Sequence, residues 1–359
     1  MKVFLFTLVL FVYGLFFAEW FLRALNPQAI LPRYIQEGPY GVRANIPNAE
    51  YRHSTPEVEV SMRINSQGMR ASRDYEVSKP AGVCRVAIFG DSFFMGYEAK
   101  MEHSYAGQLE SHLKSFGKNC QVLNFSVSGF GTAESLIILK EKALAYSPDY
   151  IVLEWHYTDP NDNLRSNLFA VDENNRLIRA REKFLPGVAI RKKLMQFSLY
   201  RWAIEYSHLY TVGREKLASS IKNTLVKVRN FELFPEKKPE PANVEAISEA
   251  IVVNRYSLLD QLLVNEFDAI AKNHGAKFVV LDVPQKNFNG EIVSSFKYLD
   301  ESKIMADRVL SPVDLFKDLT ESNVELYRTR GHKHFNEKGY SELALLTAQG
   351  INQLSKNDN

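Results

Sequence analysis

The sequence has little net charge and no internal repeat. Lys and Arg total 44 against 42 Asp and Glu, a net charge of +2, so the charge balance does not favour a nucleic acid or another polyanion as partner. With 359 residues, 45% of them hydrophobic, the chain is neither disordered nor fibrous and is long enough for one large domain or two ordinary ones.

The amino terminus lacks a good cleavage site for a signal peptidase. Residues 3–22 are mostly apolar and carry one charge, Glu19. About 20 apolar residues can cross a bilayer as a helix. Because no small-x-small pattern occurs at 16–20, we predict a transmembrane anchor or signal-anchor over 1–23, with a cleaved signal peptide as the alternative.

Only two cysteines occur, and each precedes an apolar run typical of a strand. Cys84 precedes the run at 85–89, and Cys120 precedes the run at 121–125. If these runs are neighbouring parallel strands entered at the same level, the two sulfurs lie within reach of a disulfide. A disulfide would place the domain in an oxidising, extracytoplasmic compartment. Two free core cysteines are the alternative.

Strand-like and helix-like segments alternate from residue 84 onward, which predicts a parallel sheet covered by helices on both faces. The predicted strands are 84–89, 121–125, 150–155 and 277–283, and the predicted helices are 105–116, 133–146, 246–274 and 339–354.

The alternation breaks over about 164–245, where Arg, Lys, Tyr and Phe are frequent and a proline-rich turn or linker occupies 235–241. We predict a mostly helical insertion there, without a clear strand, that forms a lid or binds a partner. Residues 24–80 are predicted as a membrane-proximal linker with short strands, and residues 81–356 as the domain that the insertion splits.

One serine stands where a parallel sheet places its ligands. The sequence Gly-Asp-Ser-Phe at 90–93 follows the first predicted strand directly, so Ser92 is expected at the carboxyl end of that strand. The alternative is a turn that leads into a helix with Ser92 as its N-cap.

Three short blocks resemble those of the SGNH (GDSL) hydrolase family and occur in the family's order. Residues 90–93 resemble the first block, Asn-Phe-Ser-Val-Ser-Gly at 124–129 is similar to the second, and His-Phe-Asn-Glu-Lys-Gly at 334–339 is similar to the last. The resemblance spans roughly residues 84–350. It implies an α/β protein with a flavodoxin-like three-layer α/β/α fold, to which this chain adds a helical insertion and an N-terminal transmembrane helix.

The same resemblance implies roles for four residues. Ser92 is the expected nucleophile and His334 the general base, because a serine hydroxyl attacks efficiently only when an imidazole takes its proton. The backbone N–H groups of Ser92 and Gly129 are the expected donors to the oxyanion. Asp91 is expected to hold the turn through hydrogen bonds.

The sequence departs from the family pattern at the oxyanion asparagine. Thr158 occupies the place of this residue, and Asn161 is a substitute if the loop is longer by one turn. An ordinary turn residue is the alternative interpretation of Asn161.

A second departure removes the aspartate that the family carries two or three residues before the histidine, because Gly331 and His332 stand there. Asp282, at the end of a predicted strand, is one candidate for orienting His334, although strand-end residues more often belong to loops. His332 and His334 form a His-x-His pair without a third ligand, so we expect no metal, and the implied chemistry needs no cofactor.

The resemblance and the anchor together predict a serine esterase or acyltransferase that acts on O-acyl groups of an envelope polysaccharide. The domain would lie on the extracytoplasmic (periplasmic) side, in contact with a carbohydrate or acyl-ester substrate and with polysaccharide-assembly proteins. A catalytically degraded SGNH domain that binds glycans or acts as a scaffold is the main alternative. A lipase acting on membrane lipids is a third hypothesis.

Overall fold

The computed structural model describes residues 1–233, 244–287 and 289–357. The strands are β1 (Ile35–Glu37), β2 (Arg43–Asn45), β3 (Glu50–Ser54), β4 (Glu59–Arg63), β5 (Cys84–Phe89), β6 (Cys120–Asn124), β7 (Tyr150–Trp155), β8 (Phe169–Val171), β9 (Leu177–Arg179), β10 (Lys277–Asp282), β11 (Gln285–Lys286), β12 (Ile292–Val293) and β13 (Arg308–Leu310). The α-helices are α1 (Lys2–Leu25), α2 (Tyr105–Ser115), α3 (Thr132–Glu141), α4 (Asp159–Ser166), α5 (Val188–Leu194), α6 (Ser198–Tyr206), α7 (His208–Leu233), α8 (Val244–Asn273), α9 (Val313–Glu321) and α10 (Glu337–Asn357).

Five strands form one parallel sheet in the order β6-β5-β7-β10-β13. Numbered by their own sequence order, these strands run 2-1-3-4-5, which is the flavodoxin-like arrangement. The predicted three-layer α/β/α fold is therefore confirmed. The alternation pattern had not revealed the fifth strand, β13, because its three residues are too short to show a period.

The sheet has an apolar core on each face because successive side chains of a strand point to opposite sides. Ala87 and Phe89 of β5 pack with α3 and α8 on one face, whereas Val86 and Ile88 pack with α2 and α10 on the other. Burial of each large apolar side chain stabilises the fold by about 1.5–3 kcal/mol relative to exposure. The two cores fix the strand ends that carry the functional side chains.

The two cysteines lie directly opposite each other at the entrances of adjacent strands. Cys84 of β5 pairs in register with Cys120 of β6, with a Cα–Cα distance of 4.3 Å. A disulfide joins them, as the sequence pattern predicts, and the interpretation as free cysteines is wrong.

The segment at 24–80 contains two hairpins, formed by β1 with β2 and by β3 with β4. Val60 and Met62 of β4 are buried and pack against Met95 and Tyr97, which belong to the loop after β5. This segment therefore supports the main domain rather than acting only as a linker.

The predicted insertion is mostly helical, with α5, α6 and α7 inside it. It also contains the β8–β9 hairpin, so the expectation that it has no clear strand was wrong. Asn175 adopts a φ of 58° in the connecting turn, and strands of three residues are too short to show alternation. The proline-rich stretch at 235–241 lies outside the described residues.

One helix among the described residues is long and apolar enough to cross a membrane. This is α1, with 24 residues, a mean hydropathy of 2.0 over a stretch of 18 of them, and no buried residue. A membrane anchor and a signal sequence both fit these properties.

Candidate active site

The serine lies in a compact series of turns at the carboxyl end of β5. Asp91 accepts a hydrogen bond from the N–H of Phe93 through Oδ1 at 2.8 Å. The N–H groups of Met95 and Tyr97 donate to the carbonyls of Asp91 and Ser92, each at 3.0 Å. The chain thus turns back on itself instead of starting a helix, so the interpretation of Ser92 as a helix N-cap was wrong. Asp91 holds the turn, which is the role expected of it.

Ser92, His334 and Glu98 form a continuous hydrogen-bonded chain. Ser92 Oγ lies 2.9 Å from Nε2 of His334. Nδ1 of the same ring lies 2.6 Å from Oε2 of Glu98. The geometry is that of a nucleophile, a base and an acid that orients the base, with Glu98 in the third place.

Glu98 is fully buried, and the surroundings keep it ionised. Burial raises the pKa of the carboxyl, but the hydrogen bond and charge of His334 and the N–H of His332 outweigh burial, so its pKa lies below the ordinary value. An ionised Glu98 accepts a hydrogen bond from Nδ1–H of His334. This tautomer leaves the lone pair of Nε2 facing the hydroxyl of Ser92.

Gly331 explains how a glutamate from a distant segment replaces the missing aspartate. A Cβ placed on Gly331 would lie 1.6 Å from Oε1 of Glu98. The N–H of His332 donates to both oxygens of Glu98, at 3.2 and 3.1 Å. The Glu98 carboxylate thus fills the space where a side chain at residue 331 would stand. Sequence reasoning missed Glu98 because the family pattern looks for the acid beside the histidine.

A buried arginine shapes the loop that presents Glu98. Glu98 has a φ of 60°, a left-handed conformation that is uncommon for a residue other than glycine. Arg70 is buried and donates to the carbonyls of Met95 at 2.8 Å and Ala99 at 2.5 Å, on either side of Glu98. These contacts hold the strained segment in place.

Two neighbouring carboxyl groups next to the serine, those of Glu154 and Asp91, are buried and have pKa values shifted in opposite directions. Burial, together with the neighbouring Asp91, raises the pKa of Glu154 well above its ordinary value. Burial acts on Asp91 in the same direction, but His156 and the hydrogen bond to Glu154 outweigh it and lower the pKa of Asp91. Glu154 therefore carries a proton, and its Oε2 accepts from the N–H of Phe94 at 3.0 Å. The pair fixes the floor of the loop.

Two backbone N–H groups in the loops that follow β5 and β6 are available to an oxyanion. Among the described residues, neither the N–H of Ser92 nor that of Gly129 donates a hydrogen bond to another protein group. Gly129 has a φ of 76°, and Arg43 fixes its carbonyl through a 2.7 Å hydrogen bond while pairing with Glu134 at 2.9 Å. A Cβ on Gly129 would lie 3.5 Å from Nη1 of Arg33. Arg33 and Arg43, neither of which was predicted from the sequence, therefore both lie close to Gly129.

The two residues proposed for the oxyanion side chain are placed elsewhere. Thr158 Oγ1 lies 3.0 Å from Nδ1 of His156. Asn161 is exposed in the first turn of α4. In the described part of the chain neither side chain bonds to Ser92, so both expectations lack support from the geometry.

Asn163 organises the second block instead. Its Oδ1 accepts from the N–H of Ala133 at 2.9 Å, at the start of α3, and its Nδ2 donates to Asp260 at 2.8 Å. Gly131 is close to the same side chain, because a Cβ there would lie 2.6 Å from Oδ1 of Asn163. Asn163 therefore positions the loop that carries Gly129 without touching the serine.

Asp282 does not orient the histidine, so that expectation was wrong. Its Oδ2 accepts from the hydroxyls of Ser294 and Ser311, each at 2.7 Å, and its Oδ1 accepts from the N–H of Ser295 at 2.8 Å. The physical reason is the strand order, because β7 separates β10 from β5. His332 contributes its backbone N–H to Glu98, and no cluster of three metal-ligating side chains occurs within the described ranges.

Comparisons with known proteins give one curated relative and several solved structures. An arylesterase of Vibrio mimicus is 31% identical over 81 residues, which are 23% of this chain and 39% of that protein. This chain therefore spans well under half of that relative. No family model matches the sequence.

The solved structures are similar at low sequence identity. A two-domain esterase active on acetylated mannans is 10% identical, with 77% of this chain and 51% of that chain covered and a TM-score of 0.39. The esterase EstA from Pseudoalteromonas sp. is 10% identical, with 76% and 98% covered and a TM-score of 0.36. A lipase/acylhydrolase from Enterococcus faecalis is 14% identical, with 76% and 96% covered and a TM-score of 0.31.

The strand order defines a flavodoxin-like three-layer α/β fold, and the serine–histidine contact lies at the carboxyl edge of its sheet. The three sequence blocks at 90–93, 124–129 and 334–339 resemble those of the SGNH (GDSL) hydrolase family and occur in the same order.

Proposed function

We propose that the protein is an ester hydrolase or acyltransferase that works through an acyl-Ser92 intermediate. The observation that carries this proposal is the Ser92–His334–Glu98 chain, with contacts of 2.9 and 2.6 Å. An unaided serine hydroxyl is a weak nucleophile, and this arrangement supplies both a base and its orienter.

The reaction follows from the positions of the groups. Ser92 Oγ attacks the ester carbonyl while its proton moves to Nε2 of His334. The N–H groups of Ser92 and Gly129 stabilise the oxyanion, each donor contributing about 3 kcal/mol to the lowering of the barrier. Collapse breaks the ester bond, and His334 returns the proton to the leaving alcohol.

The second half of the reaction decides between hydrolysis and transfer. Water or a sugar hydroxyl gives its proton to His334 and attacks the acyl carbonyl. The bond to Ser92 Oγ then breaks, His334 returns the proton to Ser92, and the acyl group departs as a free acid or as a new sugar ester. We propose O-acyl groups of an envelope carbohydrate as the substrate. The reason is that an SGNH-like domain behind a membrane anchor resembles, in layout, proteins that remove or move acetyl groups on glycans.

The proposed location is the extracytoplasmic face of a membrane, with α1 as a retained anchor. The Cys84–Cys120 disulfide supports this location, since disulfides persist in oxidising compartments. The hydrogen bonds that Glu19 of α1 makes with residues at the start of α7 support retention of the helix, because a cleaved signal needs no partner in the folded domain.

The test uses the full chain in detergent and a chromogenic acetyl ester. Wild type should hydrolyse the ester, Ser92→Ala should lose this activity, and Ser78→Ala, a matched change at an exposed serine, should keep it. A serine-directed phosphonate should label Ser92 alone. Equal inertness of wild type and Ser92→Ala, with no labelling, would overturn the proposal in favour of a degraded glycan-binding domain.

The substrate is tested separately. Release of acetate from an acetylated polysaccharide supports the carbohydrate assignment, and formation of a new sugar ester in the presence of an acceptor identifies transfer. Release of fatty acid from long-chain esters, without acetate release, would instead identify a lipase.

A further inference from the structure

Two short helices of the insertion expose an unusual number of large apolar side chains. The exposed fractions are 67% for Ile190, 38% for Leu194, 62% for Phe197, 75% for Leu199, 48% for Trp202 and 41% for Tyr206. We call these six residues of α5, α6 and their connection the α5–α6 face. Contiguous exposed apolar residues mark an interaction surface more often than isolated ones do.

The helical period puts these side chains on one side of each helix. Leu199, Trp202 and Tyr206 are spaced by three and four residues and therefore share one face of α6. Ile204, on the opposite side, is buried. Large apolar side chains of α6 thus point outward from the domain, as they do in helices that lie in a membrane interface.

The α5–α6 face is attached to the end of the apolar helix α1. Glu19 accepts hydrogen bonds from the hydroxyl of Ser207 at 2.8 Å and from the N–H groups of His208 at 3.0 Å and Leu209 at 2.9 Å. Arg23 donates to the carbonyl of Tyr206, the last residue of α6, at 2.8 Å. The C-terminal end of α6 therefore lies beside residues 19–23, at the level where the apolar stretch of α1 ends.

Basic residues accompany the apolar ones. Lys192 and Lys193 of α5 and Arg201 of α6 are exposed. Such residues attract anionic lipid headgroups near the surface of a membrane. Trp202 adds the side chain that is enriched at membrane interfaces.

We propose that the α5–α6 face lies in the headgroup region of the membrane that α1 crosses, as a second point of contact with an anionic lipid surface. The inference uses the proposed anchoring role of α1, and it assigns to the insertion a function in membrane binding. The continuity of the face with the end of α1 favours lipid over a protein as its occupant. The contact would hold the catalytic domain at a fixed orientation to the bilayer.

The test places a lipid-sensitive fluorophore at single sites of the full chain in vesicles of phosphatidylcholine and phosphatidylglycerol. The two native cysteines form a disulfide, so an introduced cysteine is the free thiol to be labelled. Leu199→Cys reports on the face, Phe11→Cys on α1, and Phe116→Cys is the matched control. Phe116 is exposed just after α2 and before the start of β6, at the opposite edge of the sheet from the active site.

The expected result is a blue-shifted emission at residues 11 and 199 that is quenched several-fold more by doxyl-labelled lipids than emission at residue 116. The paired change Lys192→Glu and Lys193→Glu should reduce quenching at residue 199 in anionic vesicles and leave quenching at residue 11 unchanged.

Each other outcome is also decisive. Quenching at residue 11 with no quenching at residue 199 overturns the inference while leaving the anchor intact. Quenching at residue 199 alone overturns the anchoring role of α1 and, with it, the inference that the face is a second contact beside α1. A residue 199 label that is shielded from aqueous iodide but not quenched by lipid identifies a protein occupant, including a second copy of the chain, and overturns the inference.

Discussion

Replacement of Glu98 by glutamine should weaken catalysis by about three orders of magnitude. Glu98 is fully buried, and its carboxylate lies 2.6 Å from Nδ1 of His334, so the negative charge is about 4 Å from the centre of the imidazolium that forms in the transition state. At an effective dielectric constant of about 20, this pair is worth about 4 kcal/mol. Loss of that stabilisation corresponds to about a thousandfold decrease in kcat/KM.

The assay is hydrolysis of the chromogenic acetyl ester by wild type and Glu98→Gln. Glu102→Gln is the matched control, because Glu102 is an exposed glutamate four residues further along the chain and should tolerate the change. If Glu98→Gln retains activity within a few-fold of wild type while Ser92→Ala abolishes it, the assignment of Glu98 as the residue that orients His334 is refuted.

A compensating pair of substitutions sharpens this test. Gly331→Asp alone should inactivate, because the new side chain would collide with the Glu98 carboxylate. Combined with Glu98→Gly, which suits the φ of 60° at residue 98, it should return an acid to the position that the family uses and restore part of the activity. A double variant less active than Glu98→Gly alone would contradict the shared-space argument.

Two further predictions concern stability. Burial raises the pKa of Asp260 to about 7, so the folded protein keeps a proton that the unfolded chain releases near pH 4. As the pH rises from about 4 to about 7, the free energy of unfolding of wild type should therefore fall, by up to about 1.4 kcal/mol per pH unit, relative to that of Asp260→Asn. Urea unfolding at several pH values checks this, and parallel curves for the two proteins would contradict it. Replacement of both Cys84 and Cys120 by alanine should lower the free energy of unfolding by about 4 kcal/mol, given the separation of 36 residues. A loss below about 1 kcal/mol in the same measurement would show that the disulfide contributes little.

The sequence predicted the elements that have long, buried and regular patterns. The four strands that precede β13 in the central sheet are mostly apolar, and each lies within a residue of its predicted bounds. Register also followed from the sequence, since Cys84 and Cys120 open adjacent strands and meet. The short hairpin β8–β9 and strand β13 escaped prediction because three residues carry too little pattern.

The site was predictable only where a role is tied to a motif. Ser92 and His334 stand in recognisable blocks, and the structure brings them to 2.9 Å. Glu98 and Arg33 carry no local signal, because their roles depend on close approach in the folded chain. The unusual Gly331 before the histidine was the one sequence hint that another group fills that space.

The placement of Glu98 has a consequence for how relatives are sorted. Surveys that separate working members from inactive ones by an aspartate shortly before the histidine would discard this chain. A glutamate six residues after the serine, paired with glycine at the vacated site, gives a second pattern to look for. Sequences that carry it would move from the presumed pseudoenzymes to the candidates for assay.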